Sequence, residues 1–297
     1  MVIAPKNDNA MCKPTPYQPF SSLKAQNAIV KAFSHALLFI FAAIVVYPVI
    51  WMVFASFKTK SELVSNIWGP PQWLAFENYA EAWRIAGLGY ALANSVIVSI
   101  AVVALILALA SLAGYALARF RFPLATFILL LFVLTMQAPV PIIPLYAMLV
   151  QLGLTNSYPA LILPMVAGGL PLSIFIFQAY FRTVPRELSE AAVVDGCSPF
   201  SAFLRVIVPI SAPVFATVAI LEFLGAWNQY LLPLILVRSP EMRTLPLAIQ
   251  VFFYDWGRTE WAQVFAALTI GSLPMIIVYV LMQRQFIQGL TSGALKG

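Results

Sequence analysis

The sequence predicts an all-α, polytopic membrane protein with six transmembrane helices and both termini in the cytoplasm. Of its 297 residues, 62% are hydrophobic and only 9% are charged, whereas soluble globular chains carry about 25% charged residues. So few charges could not cover a water-exposed surface, which favours a lipid bilayer as the solvent. Several charge-free stretches also exceed the roughly 20 apolar residues that cross the hydrocarbon core as a helix.

Six spans follow from these stretches and from the helix breakers between them. Charged residues lie at both ends of each of the first two spans. Three prolines and the polar residues 155–157 divide the uncharged run 122–181 into two spans. The predicted spans lie at about 33–57, 88–117, 123–150, 158–181, 211–233 and 265–282. Residues 1–31 are predicted to form a cytoplasmic tail, and residues 32–297 one transmembrane domain.

The distribution of Lys and Arg predicts the orientation. With both termini inside, the cytoplasmic segments hold 11 of the 17 basic residues and the outer loops hold six. An excess of basic residues in cytoplasmic loops is the usual orientation signal of membrane proteins. The basic residues lie between apolar runs and not in one cluster, so nucleic acid is not an expected partner.

The sequence offers little material for a metal site or for catalysis. Cys12, Cys197 and the single histidine, His35, are far apart, so neither a disulfide nor a Cys/His metal site is expected. No Ser/His/Asp set or acid pair falls at one membrane depth. We therefore expect no metal site, no catalytic residue and no enzymatic activity in this chain.

The most informative segment is the predicted cytoplasmic loop 183–209, between the fourth and fifth spans. Gly196 suits the end of a first short helix, because glycine adopts the left-handed conformation there. Ser198 and Pro199 suit the cap and first residue of a second helix, which Pro209 is expected to stop before the membrane. The segment predicts a helix-turn-helix at the cytoplasmic face.

Residues of the first helix suggest a docking surface. Because their side chains are small, Ala191 and Ala192 are expected to leave one side of the helix free of projecting groups, so that another surface can approach closely. Glu187, Glu190 and Asp195 offer acceptors for a partner's Lys or Arg. An ordinary amphipathic connector with solvated charges explains these residues equally well.

The loop also carries a spaced motif. Glu-Ala-Ala is followed after three residues by glycine and, after nine more, by Val-x-Val-Pro. The matching positions are Glu190, Ala191, Ala192, Gly196, Val206, Val208 and Pro209. This spacing resembles the EAA signature of ABC importer permeases, whose pattern ends in Ile-x-Leu-Pro. Residues 137–146, 153–156, 162–164, 227–228 and 283–297 resemble the carbohydrate-type permeases, such as the smaller membrane subunit of the maltose importer.

The resemblance implies that the loop is a coupling helix, which sits in a cleft of a separate ATPase subunit and transmits nucleotide-driven closure to the membrane helices. The residues implied for ATPase coupling are Glu190, Ala191, Ala192, Asp195, Gly196 and Pro209. No Gly-x-x-x-x-Gly-Lys-Ser/Thr phosphate loop is present. No cofactor is therefore expected on this chain, and ATP and Mg²⁺ are expected on the ATPase subunits.

The resemblance also implies partners. Such permeases work in the bacterial inner membrane with a second, usually nonidentical permease, two ATPase subunits and an extracytoplasmic solute-binding protein. The outer loops 58–84 and 238–260 would receive the binding protein. The implied cargo is a sugar or oligosaccharide, and no residue separates neutral sugars, acidic oligosaccharides and glycerol phosphates.

Glu222 is the one acid predicted inside a span. A charge at mid-membrane costs about 3 kcal/mol on insertion scales, so Glu222 should face the bundle interior or a wet cavity. It could line a translocation path with Trp227, Asn228 and Gln229. A helix-to-helix hydrogen bond explains Glu222 equally well.

An ion-driven secondary transporter is the alternative function. It predicts inverted repeats, interrupted helices and paired intramembrane acids. The sequence offers one intramembrane acid and a docking loop, so an ATP-driven importer permease is favoured.

Overall fold

The structure, a computed structural model, describes residues 21–120, 122–137, 141–253 and 259–294. Every regular element within these ranges is a helix, as the composition predicted. The α-helices are α1 (Ser21–Ser56), α2 (Lys60–Ser65), α3 (Glu77–Ile85), α4 (Leu88–Arg119), α5 (Ala125–Gln137), α6 (Ile142–Gln151), α7 (Tyr158–Thr183), α8 (Arg186–Val194), α9 (Pro199–Ala202), α10 (Val208–Ile210), α11 (Ala212–Trp227), α12 (Leu231–Leu236), α13 (Leu245–Ile249) and α14 (Trp261–Ala294). A π-helical stretch occupies Phe203–Ile207, and 3-10 helices occupy Pro240–Met242 and Gln250–Phe253.

Four described helices are long and apolar enough to cross a membrane, and a fifth span results if the bent pair Pro199–Ile210 and Ala212–Trp227 is counted as one. The four are Val30–Ser56 of α1, α4, α7 and Trp261–Gln283 of α14. They coincide with the first, second, fourth and sixth predicted spans. The starts of α4 and α7 fall on the predicted residues 88 and 158.

The third and fifth predicted spans are not single continuous helices. Within 123–150 the chain forms α5, of 13 residues, and α6, of 10 residues. Pro141 precedes α6, and a proline cannot donate the hydrogen bond that would continue a helix. Within 211–233, α11 ends after 16 residues and α12 follows as a separate helix. The number of six spans is therefore not confirmed by the described helices.

The chain divides after Trp51 into two compact units. The described part of the first unit is helical and belongs to α1, which begins at Ser21, inside the predicted tail 1–31. Residues 1–20 lie outside the described residues. The second unit begins at Met52 and contains all the other helices.

The second unit is built on the long helices α4 and α7, whose contact is the most extensive between any two described elements. The two helices run in the same direction, since Tyr158 at the start of α7 bonds Asn94 near the start of α4. α11 packs on α4, and α14 packs on α11. The buried cluster between them includes Ile106 of α4 and Phe177 of α7, both fully shielded from solvent.

Gly114 sets the distance between α4 and α7. A Cβ atom at this position would lie 2.7 Å from Cβ of Phe177 and 3.0 Å from the backbone nitrogen of Gln178. Neither atom can move away without moving α7. Small residues that allow close backbone approach are the usual means by which membrane helices gain packing energy.

We expect Gly114→Ala to destabilise the folded chain by about 1–3 kcal/mol, the usual cost of overpacking a tight contact. Gly168→Ala on α7 is the matched control, because nothing lies within 4 Å of a Cβ there. Alanine is the better helix former by about 1 kcal/mol, so the control should be neutral or stabilising. Thermal unfolding of both variants in detergent measures the difference, and equal midpoints would contradict the close contact.

Candidate functional site

The loop 183–209 folds into two short helices, α8 and Pro199–Ile210, joined by a turn at residues 195–198. We call this helix-turn-helix the corner. Gly196 has a φ of 88°, its N–H donates to the Val193 carbonyl at 3.0 Å, and the Cys197 N–H donates to the Ala192 carbonyl at 3.0 Å. This pair of bonds is the Schellman motif, in which glycine takes the left-handed position. The predicted end of the first helix at Gly196 is confirmed.

The second half of the corner begins as predicted but ends differently. The Ser198 hydroxyl accepts from the Ser201 N–H at 3.2 Å, and Pro199 is the first helical residue. Pro209 is not itself the last helical residue, because the continuous helix Pro199–Ile210 runs one residue past it. The break falls at Ser211, where the helix axis turns by 79° into α11.

The two alanines of the loop differ in burial. Ala192 is buried, with 7% of its surface exposed, whereas Ala191 is exposed. Ala191 shares its exposed helix face with Glu187 and Asp195, which lie four residues to either side. The prediction that both alanines form one exposed surface of small side chains is therefore wrong. The outward surface consists of one small residue between acids.

The predicted coupling residues thus divide into two groups. Those on the outer surface of the corner are Glu190, Ala191, Asp195, Gly196 and Pro209, all exposed. Ala192 lies inside the corner. Val194, next to Asp195, is 87% exposed, so the outward surface also presents an aliphatic side chain.

Packed aromatic rings join this corner to the long helices. The ring centre of Tyr115 on α4 lies 4.9 Å from that of Phe203 in the loop and 5.6 Å from that of Phe181 on α7. The Arg119 guanidinium donates to the Pro185 carbonyl at 3.4 Å and lies 5.9 Å from the Tyr115 ring centre. A force on the loop would therefore act directly on the ends of α4 and α7.

Glu222 forms a bond between two helices. The Ser173 hydroxyl of α7 donates to Oε1 of Glu222 on α11 at 2.7 Å. Gly169, one turn before Ser173, makes room for the carboxyl group, since a Cβ at this glycine would collide with it. The hydrogen bond is one of the two roles that the sequence left open for Glu222.

The other three predicted path residues do not gather around Glu222. Trp227 is only 2% exposed, and its Nε1 donates to the Gly271 carbonyl of α14 at 3.3 Å. The side chains of Asn228 and Gln229 bond the adjoining backbone of Leu224 and Leu231. Trp227 therefore packs toward α14, whereas Glu222 contacts α7.

Two of these residues border a mostly apolar cavity of about 440 Å³. Its lining consists of Met52, Trp227, Asn228, Tyr230, Leu245, Pro246, Ile249, Leu268, Gly271, Ser272 and Met275. Tyr230 and Trp227 give it aromatic walls, and Asn228 gives it an amide. Such a mixture is typical of small-molecule sites.

Asn94 organises the end of α4 opposite the loop, and the sequence-based interpretation missed it. Its buried amide donates to the carbonyls of Glu241 and Arg243 at 2.7 and 3.0 Å. Its Oδ1 accepts from the Tyr158 hydroxyl at 2.7 Å. The sequence did contain a signal for this role, namely an asparagine within an otherwise apolar stretch. A buried amide must find hydrogen-bond partners.

Asn156 makes a second junction at this end. Its φ of 56° is left-handed, a conformation that asparagine tolerates better than most residues. Its Oδ1 accepts from the backbone N–H groups of Arg238 and Ser239 at 2.9 and 3.0 Å. The two asparagines hold the segment 238–244 against the starts of α4 and α7.

A family model described as "Binding-protein-dependent transport system inner membrane component" matches residues 106–292. The chain belongs to this family. It is therefore an ABC importer permease, a multi-pass membrane protein and a transport component rather than an enzyme.

Individual relatives agree with this assignment. The diacetylchitobiose uptake system permease protein NgcG of Streptomyces coelicolor is 36% identical over 273 residues, covering 89% of each chain. The trehalose/maltose transport system permease protein MalG of Thermococcus litoralis is 34% identical, covering 86% of this chain and 93% of the relative. The predicted resemblance to carbohydrate-type permeases is confirmed.

One solved structure shares the fold. A chain of a bacterial ABC transporter involved in the import of the acidic polysaccharide alginate matches with a TM-score of 0.77 and 22% sequence identity. The match covers 92% of this importer permease and all of the other chain. The helical arrangement is thus that of a known membrane transporter chain.

For the Glu222 bond, we expect Ser173→Ala to destabilise the permease by about 1 kcal/mol, since the carboxyl group loses a buried donor. Ser99→Ala is the matched control. Ser99 is also buried, but its hydroxyl has no hydrogen-bond partner among the described residues, so its removal should be neutral or stabilising. Thermal unfolding in detergent compares the two, and an equal loss in both would contradict the Ser173–Glu222 bond.

Proposed function

We propose that this chain is the permease subunit of an ATP-driven, binding-protein-dependent importer that carries a sugar or oligosaccharide. Separate ATPase subunits would drive it through the loop 183–209. The proposal rests on the family match together with the exposed face of α8, a helix that ends in the Gly196 turn. The match places the chain among importer permeases, and the corner offers a surface suited to docking.

The proposed ATPase contact is the outer surface of the corner. Ala191 admits a close approach, and Glu190 and Asp195 accept hydrogen bonds from basic groups of the partner. Gly196 fixes the corner in shape, and Ala192 packs it against the rest of the chain. Pro209 lies further along, before the 79° bend that leads into α11.

Coupling is proposed to work as a two-state switch. ATP and Mg²⁺ bind the ATPase subunits, whose closure moves the docked loops, and the membrane helices change from inward-open to outward-open. In this chain the movement would pass from Phe203 to Tyr115 and Phe181, whose rings are in contact. No step in this scheme requires this chain to bind a nucleotide.

The proposed cargo follows the relatives. Relatives named for diacetylchitobiose, trehalose/maltose and arabinooligosaccharides are 34–36% identical to this chain. The cavity beside Trp227 and Asn228 is proposed as part of the path, because aromatic rings stack on sugar faces and amides bond sugar hydroxyls. Glu222 and Gln229, which do not line this cavity, would line other parts of the path.

The assembly is proposed to contain this chain, a second, nonidentical permease, two ATPase subunits and an extracytoplasmic solute-binding protein, in the bacterial inner membrane. Six spans would result if α5 and α6 together cross once and the bent pair counts as one span. Both termini and the loop 183–209 would then be cytoplasmic. The binding protein would dock at the opposite end, where Asn94 and Asn156 hold the segment 238–244.

The coupling proposal predicts that Gly196→Asp lowers substrate-stimulated ATP hydrolysis at least tenfold, or releases the ATPase subunits, in the purified complex. An aspartate at a φ of 88° strains the corner and adds a charge to the docking surface. The matched control is Gly153→Asp, since Gly153 also has a positive φ, of 67°, and also faces open space, but precedes α7 at the other end. Equal effects in both variants would contradict the coupling role.

The ATP-driven proposal also predicts that Glu222→Gln keeps ATP-dependent uptake within about threefold of wild type. Glutamine can still accept the Ser173 hydrogen bond and removes only the ionisable proton. A secondary transporter that relies on this acid for ion coupling would instead lose uptake. The measurement is labelled-sugar uptake into proteoliposomes, with ATP enclosed and ion gradients collapsed. No uptake by the wild type would contradict ATP drive, and complete loss in the variant alone would contradict the expected tolerance of this substitution.

A further inference from the structure

Three arginines line one cavity at the end of α4 that contacts the loop 183–209. Arg119 ends α4, Arg182 lies in the last turn of α7 and Arg186 begins α8, and all three line a cavity of about 610 Å³. The remaining lining comes from the ends of α4 and α5 and the residues between them. Among the described residues no acidic side chain lines this cavity, and Glu190 borders a neighbouring pocket together with Arg119 and Arg186.

None of the three arginines of this cavity forms an ion pair within the described part of the chain. The ion pairs found there are Lys60–Glu260 and Arg84–Glu81, and neither involves the three arginines. Nε of Arg119 is buried and has no hydrogen-bond partner among the described atoms. Like charges on one cavity wall repel, and a bound anion would offset that repulsion.

Gln178 helps to hold one of the arginines in place. Its side chain is 3% exposed. With its amide oriented so that the oxygen faces Arg182, that oxygen accepts from Nη2 at 2.7 Å and from Nε at 3.1 Å. The remaining donors of Arg182 are left for a ligand in the cavity.

An exposed apolar helix face adjoins the arginine cavity. Ala125 and Thr126 line the cavity and open α5. Further along α5, Phe127, Leu130, Leu131 and Leu134 are exposed. Their spacing, at positions i, i+3, i+4 and i+7, puts them on one side of the helix. A ligand that joins a negative head to apolar tails would fit both surfaces at once.

We propose that the arginine cavity binds the phosphate group of an anionic phospholipid, with the acyl chains along α5. Guanidinium groups bind phosphate oxygens through paired, charge-assisted hydrogen bonds, and three of them can surround one phosphate. A free phosphate ion shares this head chemistry but leaves the apolar face of α5 uncovered. The site is separate from the proposed transport function and does not depend on it.

The test uses the full chain in its purified complex, delipidated in a neutral detergent and titrated with phosphatidylglycerol or phosphatidylcholine. Native mass spectrometry counts bound lipids. We expect phosphatidylglycerol to bind more tightly, and the preference to fall about fivefold for each arginine replaced in Arg182→Gln and Arg186→Gln. Arg205→Gln is the matched control, since Arg205 is an exposed residue of the same loop but does not line the cavity.

Three outcomes overturn the proposal. These are equal binding of the two lipids, a preference that survives both glutamine substitutions, and displacement of phosphatidylglycerol by inorganic phosphate at similar concentration, which would make a soluble anion the ligand. If the glutamine variants fail to assemble, wild-type complex is labelled with phosphatidylglycerol carrying a photoreactive head group. Labelling of the cavity residues supports the site, and labelling confined to other residues overturns it.

Discussion

The close approach of α4 and α7 at Gly114 is the contact on which the rest of the structure depends. In a bilayer the hydrophobic effect cannot drive helices together, so packing and hydrogen bonds must do so. Gly114 allows the backbones to meet, and the rings of Phe177, Phe181 and Tyr115 fill the space beside them. With this pair fixed, α11 can bond α7 through Glu222, and α14 can pack on α11.

The same helix pair separates two different surfaces. At one end, Tyr115 contacts Phe203 of the loop and Arg119 donates to the Pro185 carbonyl, so the corner is joined directly to the end of α4. At the other end, the buried amide of Asn94 holds the segment before α13. A rigid connection between these ends is what a transporter needs if ATPase closure on one side is to change access on the other.

The long helices and the corner were predictable because their signals are local. Hydropathy placed α4 and α7, and Gly196 with Ser198 and Pro199 placed the turn. The broken spans were missed because hydropathy alone does not distinguish one helix from two short apolar ones. The different burial of Ala191 and Ala192, and the separation of Trp227 from Glu222, depend on tertiary packing, which no local sequence pattern reveals.

The central claim is that the outer face of α8 contacts an ATPase subunit, and site-specific photocrosslinking tests it most directly. A photoreactive residue replaces Ala191, which is exposed, or Ala192, which is 7% exposed and points inward. The account predicts a cross-link from position 191 to an ATPase subunit in the assembled complex, and little or none from position 192. Cross-links from 191 only to lipid, or equally from both positions, would contradict it.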